Sequence, residues 1–178
     1  DDVDGAVILG TGNQPMAVVE GGILAAKSVA RAKGERYRSR LLSKLMFGAY
    51  NTRITDAKSE NAWLTRDEEI VELYDNDEKC SFVFTPNAYL GFLNIIKYDI
   101  KPENVRKTPA SLPVLFASGL EDPVGDYGKG VKKAFMMYTR YLDVVELRLY
   151  EDCRHELHSE LNRYEIFDDI YRWMQEHL

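Results

Sequence analysis

Several things are scarce in this sequence of 178 residues. It has two cysteines, Cys80 and Cys153, and three histidines. The cysteines are far apart, with no Cys-x-x-Cys and no metal-ligand spacing, so a disulfide scaffold and a cysteine-based metal site are both excluded, and free thiols in a reducing, cytoplasmic setting are expected. Long apolar runs are missing too. The longest stretch without a charged residue, 80–96, contains Ser81, Thr85, Pro86 and Asn87, which rules it out as a membrane span. The chain also begins Asp1-Asp2-Val3-Asp4-Gly5, with neither an initiator Met nor a basic-then-apolar leader, and runs straight into the apolar Val7-Ile8-Leu9. That opening reads as the middle of something longer.

What is present is ordinary for a globular chain: 45% apolar and 29% charged residues. This excludes disordered and collagen-like classes and allows one core, with room for a subdomain. The net charge of −6 argues against non-specific nucleic-acid binding. Charge is uneven, however. Residues 27–58 carry nine basic side chains (Lys27, Arg31, Lys33, Arg36, Arg38, Arg40, Lys44, Arg53, Lys58) against Glu35 and Asp56. A solvated helical face is the simpler reading, and a surface for anionic lipid head groups or a partner is the sharper one.

Three segments read as short buried strands: 6–9, 113–117 and 144–150. The first two are continuous apolar runs and the third partly alternates, as a strand nearer a sheet edge does. Between the last two, Val131, Ala134, Phe135, Tyr138, Tyr141 and Leu142 recur at helical spacing, giving a strand–helix–strand crossover and hence a parallel pair. A final helix is expected to place Leu161, Tyr164, Phe167, Ile170, Tyr171 and Met174 against the sheet, with Ser159 or Asn162 near its start.

Between the first two strands lie helical patterns over 15–33, 39–47 and 86–98, and a capping box, Thr65-Arg66-Asp67-Glu68, opening a helix to about Tyr74. An insertion of that length is expected to be a helical cap rather than a structureless loop. The expected organisation is therefore 1–12 first core strand, 13–108 cap, and 109–178 core strands and helices. There is no internal repeat or low-complexity segment.

The histidines can be weighed singly. His177 is penultimate and His158 sits near the start of the last helix, where structural or surface roles suffice. His155 follows the third strand, in a loop beyond the carboxyl end of a parallel strand, where open α/β sheets bind ligands. The second strand ends Ser118-Gly119-Leu120-Glu121-Asp122-Pro123-Val124-Gly125, whose proline and glycines hold Asp122 on a tight loop at the same edge. Asp122 then His155, on adjacent strand ends, is two thirds of an acyl-transfer triad. The alternative, an acid that caps a turn beside a surface histidine, is left open by spacing alone.

These motifs, with Gly128-Lys129-Gly130-Val131, Tyr150-Glu151-Asp152-Cys153-Arg154-His155-Glu156, Glu160-Leu161-Asn162, Trp63-Leu64-Thr65-Arg66-Asp67 and Val7-Ile8-Leu9-Gly10-Thr11-Gly12, resemble the C-terminal part of the α/β-hydrolase superfamily. The sequence is most similar to its lysophospholipase and monoacylglycerol-lipase-like branch, grouped with the serine aminopeptidases. The resemblance covers essentially the whole chain. It implies a C-terminal half of a parallel α/β-hydrolase sheet, of about three strands, with a large helical cap. Asp122 would be the triad acid, His155 the general base and the cap a lid over an acyl-binding cleft; no cofactor or metal is implied. Phe82, Phe84, Tyr89 and Phe92 would line an acyl pocket, or would simply pack the cap.

One part of the family pattern is not found. Neither Gly-x-Ser-x-Gly nor His-Gly occurs in these residues. Ser118 lies on the acid's own turn, where it cannot replace an elbow serine, and nothing marks Cys153 as an activated nucleophile. The expectation is a partial serine ester hydrolase whose nucleophile lies in a missing N-terminal half. Two other readings remain: a catalytically silent assembly or lipid-binding module that pairs with that half or with itself, and nucleotide binding through Gly10-Thr11-Gly12, a weak match without a third glycine in register.

Overall fold

The structure is a computed structural model and describes residues 3–177, so the Asp1-Asp2 opening lies outside the described residues. Three parallel strands, β1 (Ala6–Leu9), β2 (Val114–Gly119) and β3 (Val145–Tyr150), lie side by side in chain order. Ala6 pairs with Val114 and Val114 with Val145, which brings all three carboxyl ends to one edge. β2 is buried along its whole length, as its unbroken apolar run requires of a central strand covered on both faces.

Alternation along the strands then sorts the side chains by face. Val114 and Phe116 of β2, with Val145, Leu147 and Leu149 of β3, pack against α6 (Lys129–Tyr138) through Val131 and Ala134, and against Leu142 just beyond it. The expected stripe of that helix is the buried one, with Phe135, Tyr138 and Tyr141 along its border. On the opposite face, Ala117 and Cys153 meet Leu157 and Ile166. β3 offers this side Glu146, Arg148 and Tyr150, which bond α7 (Arg163–His177) at the Trp173 indole N–H, the Asp169 carbonyl and the Asp169 carboxylate.

α7 does cover the sheet, but of the expected stripe only Ile170 packs there, beside a face the stripe did not include. Ile166 and Trp173 are buried, whereas Tyr164 and Tyr171 are 71% and 58% exposed, and Leu161, Phe167 and Met174 are exposed too. The helix carries two apolar stripes at helical spacing. The Trp173–Glu146 bond and the small pocket at Ala117 and Cys153 select the one through Ile166 and Trp173.

Five helices occupy the stretch between β1 and β2: α1 (Met16–Lys33), α2 (Arg40–Phe47), α3 (Glu68–Asn76), α4 (Pro86–Asp99) and the single turn α5 (Pro102–Val105). Val19 and Ile23 of α1 meet Leu93 of α4, and Ala26 meets Leu42 and Tyr89, so this cap has a core of its own. Ser39 and Thr85 cap α2 and α4 by accepting from the amides three residues on.

The capping box at α3 is not made as expected. The box has Thr65 accepting the Glu68 amide, whereas the cap is Asp67, which accepts the Ile70 amide. The Thr65 hydroxyl instead donates to the Ser159 carbonyl and accepts from the Asp67 amide, because residues 62–67 are strapped to the loop after β3.

Candidate active site

The three strand ends meet at Gly10, Asp122 and His155. Gly119, the last residue of β2, permits the approach: a Cβ there would drive into the Cys153 and Arg154 carbonyls. With only hydrogen at that position, the loop after β3 lies directly over the end of β2. The amides of Leu120 and Glu121 then donate to the carbonyls of Tyr150 and Cys153, each at 2.9 Å.

Asp122 is wholly buried. Its Oδ1 accepts the Val124 amide at 2.8 Å, which fixes the turn that Pro123 introduces. Its Oδ2 lies 3.1 Å from His155 Nδ1 and 3.4 Å from the Ser118 hydroxyl that donates to it. A buried carboxylate must have its lone pairs filled, and here they are aimed at an imidazole. Nδ1–H donating to Asp122 leaves Nε2 as the basic nitrogen, and the His155 side chain is 26% exposed, enough to receive a proton from a reactant.

His155 is held from three other sides. Its ring packs 5.1 Å from that of Trp63 on the cap, and its amide donates to the Trp63 carbonyl. Beneath it, Gly10 turns at φ 59°, where a Cβ would come within 2.9 Å of the imidazole. Behind Trp63 stands Tyr50, with ring centroids 4.9 Å apart. Burial, and secondarily the Asp122 charge, push the Tyr50 phenol up and keep it neutral. Beside this group, a cavity of about 190 Å³ is lined by Tyr50, Arg53, Ile54, Leu120, Glu121 and Tyr127. The Arg53 guanidinium stacks over the Tyr127 ring there at 3.5 Å.

The other residues singled out in the sequence fall elsewhere. Cys153 is buried under the His155 loop and burial pushes its thiol up, the opposite of an activated nucleophile. Cys80 is also free. Ser118 is buried and spends its hydroxyl on Asp122 and the Gly119 carbonyl. His158 lies 4.0 Å from Glu156, and His177 caps the end of α7 against Trp173 and Glu146. Tyr89 is in the cap core and joins Phe84, which joins Phe82 at 5.1 Å between ring centroids; Phe82 and Phe92 are exposed. Gly10 and Gly12 press against His155 and the Val124 carbonyl. Among the described residues, no cluster of His, Cys, Asp or Glu could hold a metal ion, and no helix is long and apolar enough to cross a membrane.

Trp63 and Glu160 enter the sequence reading only within the quoted family motifs, and Gly10 only there and in the weak nucleotide-binding match. Their roles arise from contacts across the fold, and only the quoted family motifs bring them near the pair.

An acid and a histidine so placed at adjacent parallel strand ends raise the question of kinship. A family model described as serine aminopeptidase, S33 matches residues 2–162. The chain belongs to that family. No curated protein matches it in sequence. Among solved structures, this S33 chain is similar to a thermostable carboxyl esterase from Bacillus coagulans in complex with glycerol, at 22% identity and a TM-score of 0.88, covering 98% of this chain and 57% of that one. It is similar to a lipase in an open form, at 24% identity and TM-score 0.81, with coverages of 98% and 57%. It is also similar to a soluble variant of monoglyceride lipase from Saccharomyces cerevisiae in complex with a substrate analogue, at 19% identity and TM-score 0.67, with coverages of 99% and 54%. The S33 chain thus has an α/β-hydrolase fold and spans less than two thirds of the length of these structures.

Proposed function

We propose that this chain supplies the acid and the base of a serine ester hydrolase whose nucleophile comes from residues outside this sequence. The observation that carries the reading is the buried Asp122 carboxylate 3.1 Å from His155 Nδ1 at adjacent strand ends. In the proposed reaction a serine hydroxyl attacks the ester carbonyl as His155 Nε2 takes its proton. The imidazolium is stabilised by Asp122 and returns the proton to the leaving alcohol; water then repeats the sequence on the acyl-enzyme. The oxyanion hole would come from the same outside segment as the serine.

The proposed substrate is a lipid ester, a monoacylglycerol or lysophospholipid, with other esters and peptides as competing classes. Support comes from the cap: Phe82 and Phe92 present apolar surface, backed by Phe84 and Tyr89, for an acyl chain. The proposed partner is the remainder of the sheet. Among the described residues the outer edge of β1 is unpaired, and Tyr164, Phe167 and Tyr171 of α7 are uncovered apolar surface. A second copy of the chain is the other occupant of that edge. Free Cys80 and buried Cys153 fit a reducing compartment.

A substrate panel on a full-length protein tests the assignment. Asp122→Asn and His155→Ala are each expected to lower kcat by about 10³-fold to 10⁴-fold; activity retained in both would refute it. The second reading is that this chain by itself is catalytically silent, which the lack of Gly-x-Ser-x-Gly in these residues favours. Labelling of the purified chain by a fluorophosphonate would sink that reading.

A further inference from the structure

Among the described residues two carboxylates are fully buried, Asp122 and Glu160. Burying an ionised carboxylate is costly unless donors converge on it. Four donors converge on Glu160. Oε1 accepts the Arg154 amide at 2.7 Å and the Arg66 amide at 3.3 Å. Oε2 accepts the Arg66 guanidinium at 2.9 Å and the Leu161 amide at 3.3 Å.

These donors belong to two parts of the molecule. Arg154 immediately precedes His155, so its amide fixes the peptide that leads into the base. Arg66 lies on the cap strap that also supplies the Trp63 and Leu64 carbonyls to the amides of His155 and Glu156. The strap is tied down again by the Arg154 guanidinium, which donates to the Ala62 and Thr65 carbonyls at 2.8 and 3.0 Å. The Arg66 guanidinium also donates to the Asn162 side-chain Oδ1 at 3.0 Å.

We propose that Glu160 is a positioning residue for His155, and that through Arg66 it makes the geometry of the base depend on the cap being seated. The inference rests on His155 as general base. Glu160 acts through the Arg154 peptide, with Arg66 as the link to the cap. Lifting the strap would withdraw Trp63 from the imidazole and loosen the Nδ1–H···Asp122 bond together.

The test is the imidazole NMR spectrum of this chain labelled at histidine, where three histidines keep assignment simple. Wild type should show an Nδ1–H proton hydrogen-bonded to Asp122 that disappears in Asp122→Asn. Glu160→Gln keeps the side-chain volume but replaces one acceptor oxygen by a donor, and the signal should broaden or vanish. Arg66→Ala should have the same effect from the cap side. Val131→Ala, in the α6 core, should lower the melting temperature and leave the signal intact.

An unchanged signal in folded Glu160→Gln overturns the proposal, and an unchanged signal in Arg66→Ala overturns the cap's part in it. Should Glu160→Gln fail to fold, Glu160→Asp, which shortens the reach to the Arg154 amide, takes its place with the same expected and overturning results. A wild-type signal insensitive to Asp122→Asn would instead strike the acid–base pair itself, so the two failures are distinguishable. In a full-length protein, Glu160→Gln should lower kcat by about 10-fold to 100-fold with KM little changed and alter the pH profile of kcat/KM. Val131→Ala should leave that profile as it is.

Discussion

Gly10 is the residue on which the His155 imidazole rests. Its φ of 59° lies in the left-handed region, and the space where a Cβ would go is occupied by the imidazole. Gly10→Ala should therefore cost at least about 1–2 kcal/mol, from backbone conformation alone before the clash with His155 is counted. Urea denaturation measures the loss. The histidine NMR signal should move with it, and a variant as stable as wild type with an unmoved signal would contradict this placement. The pair above Gly10 was legible in the sequence because Pro123 and the flanking glycines mark a tight loop at a strand end, and because consecutive parallel strands tend to be neighbours. The supports of the pair were not legible. Trp63 reaches His155, and Arg66 reaches Glu160, from the far side of the cap insertion, and a polar residue gives no local sign that it will be buried among such distant donors.

At the scale of the elements, continuous apolar runs located β1 and β2, and β2 is covered on both faces as its run requires; β1, expected to be buried as well, is only partly covered and exposes Leu9, because among the described residues it pairs along one edge alone. α6 was legible for the complementary reason: it has one apolar stripe. α7 has two, and periodicity cannot choose between them; the choice is made by Glu146 and by the small residues on the sheet. The start of α3 shows the same dependence on tertiary context. Because the strap diverts Thr65 to Ser159, Asp67 carries the cap and also pairs with Arg163 at 3.2 Å. Asp67→Ala should cost about 1 kcal/mol through the lost cap, with the partly exposed ion pair adding little. Thermal melts followed by circular dichroism would show the drop. No loss of stability would return the cap to Thr65.

Across the whole molecule, several phenols are held above their ordinary value. Burial first, and Asp169 second, push Tyr150 up to about 12, and burial is the main cause at Tyr50, Tyr74, Tyr89 and Tyr138 as well. Unfolded, these groups ionise near 10.0. Above that pH the unfolded chain releases protons that the folded chain still holds, so stability falls as pH rises; below it the contribution is fully present. The urea midpoint should be level up to about pH 9 and decline through pH 10 to 11. A flat midpoint over the upper range would mean that these rings are solvated.

The pairing of Ala6 with Val114 has a different consequence. Seen as a polymer, the entire cap is one loop closed by a four-residue strand, whereas β2 and β3 are closed by the short α6 crossover. Contacts of long sequence separation form late, so β2, α6 and β3 should assemble before β1 joins them. Loop-closure entropy grows only logarithmically, and doubling such a loop adds about 0.6 kcal/mol. The sheet is thus nearly indifferent to how large the cap is, and the chain between β1 and β2 is free to lengthen, shorten or be exchanged. Residues 62–67 are constrained, because there the loop must return to the His155 peptide, and Arg53 is a second tie, stacked over Tyr127 of the core.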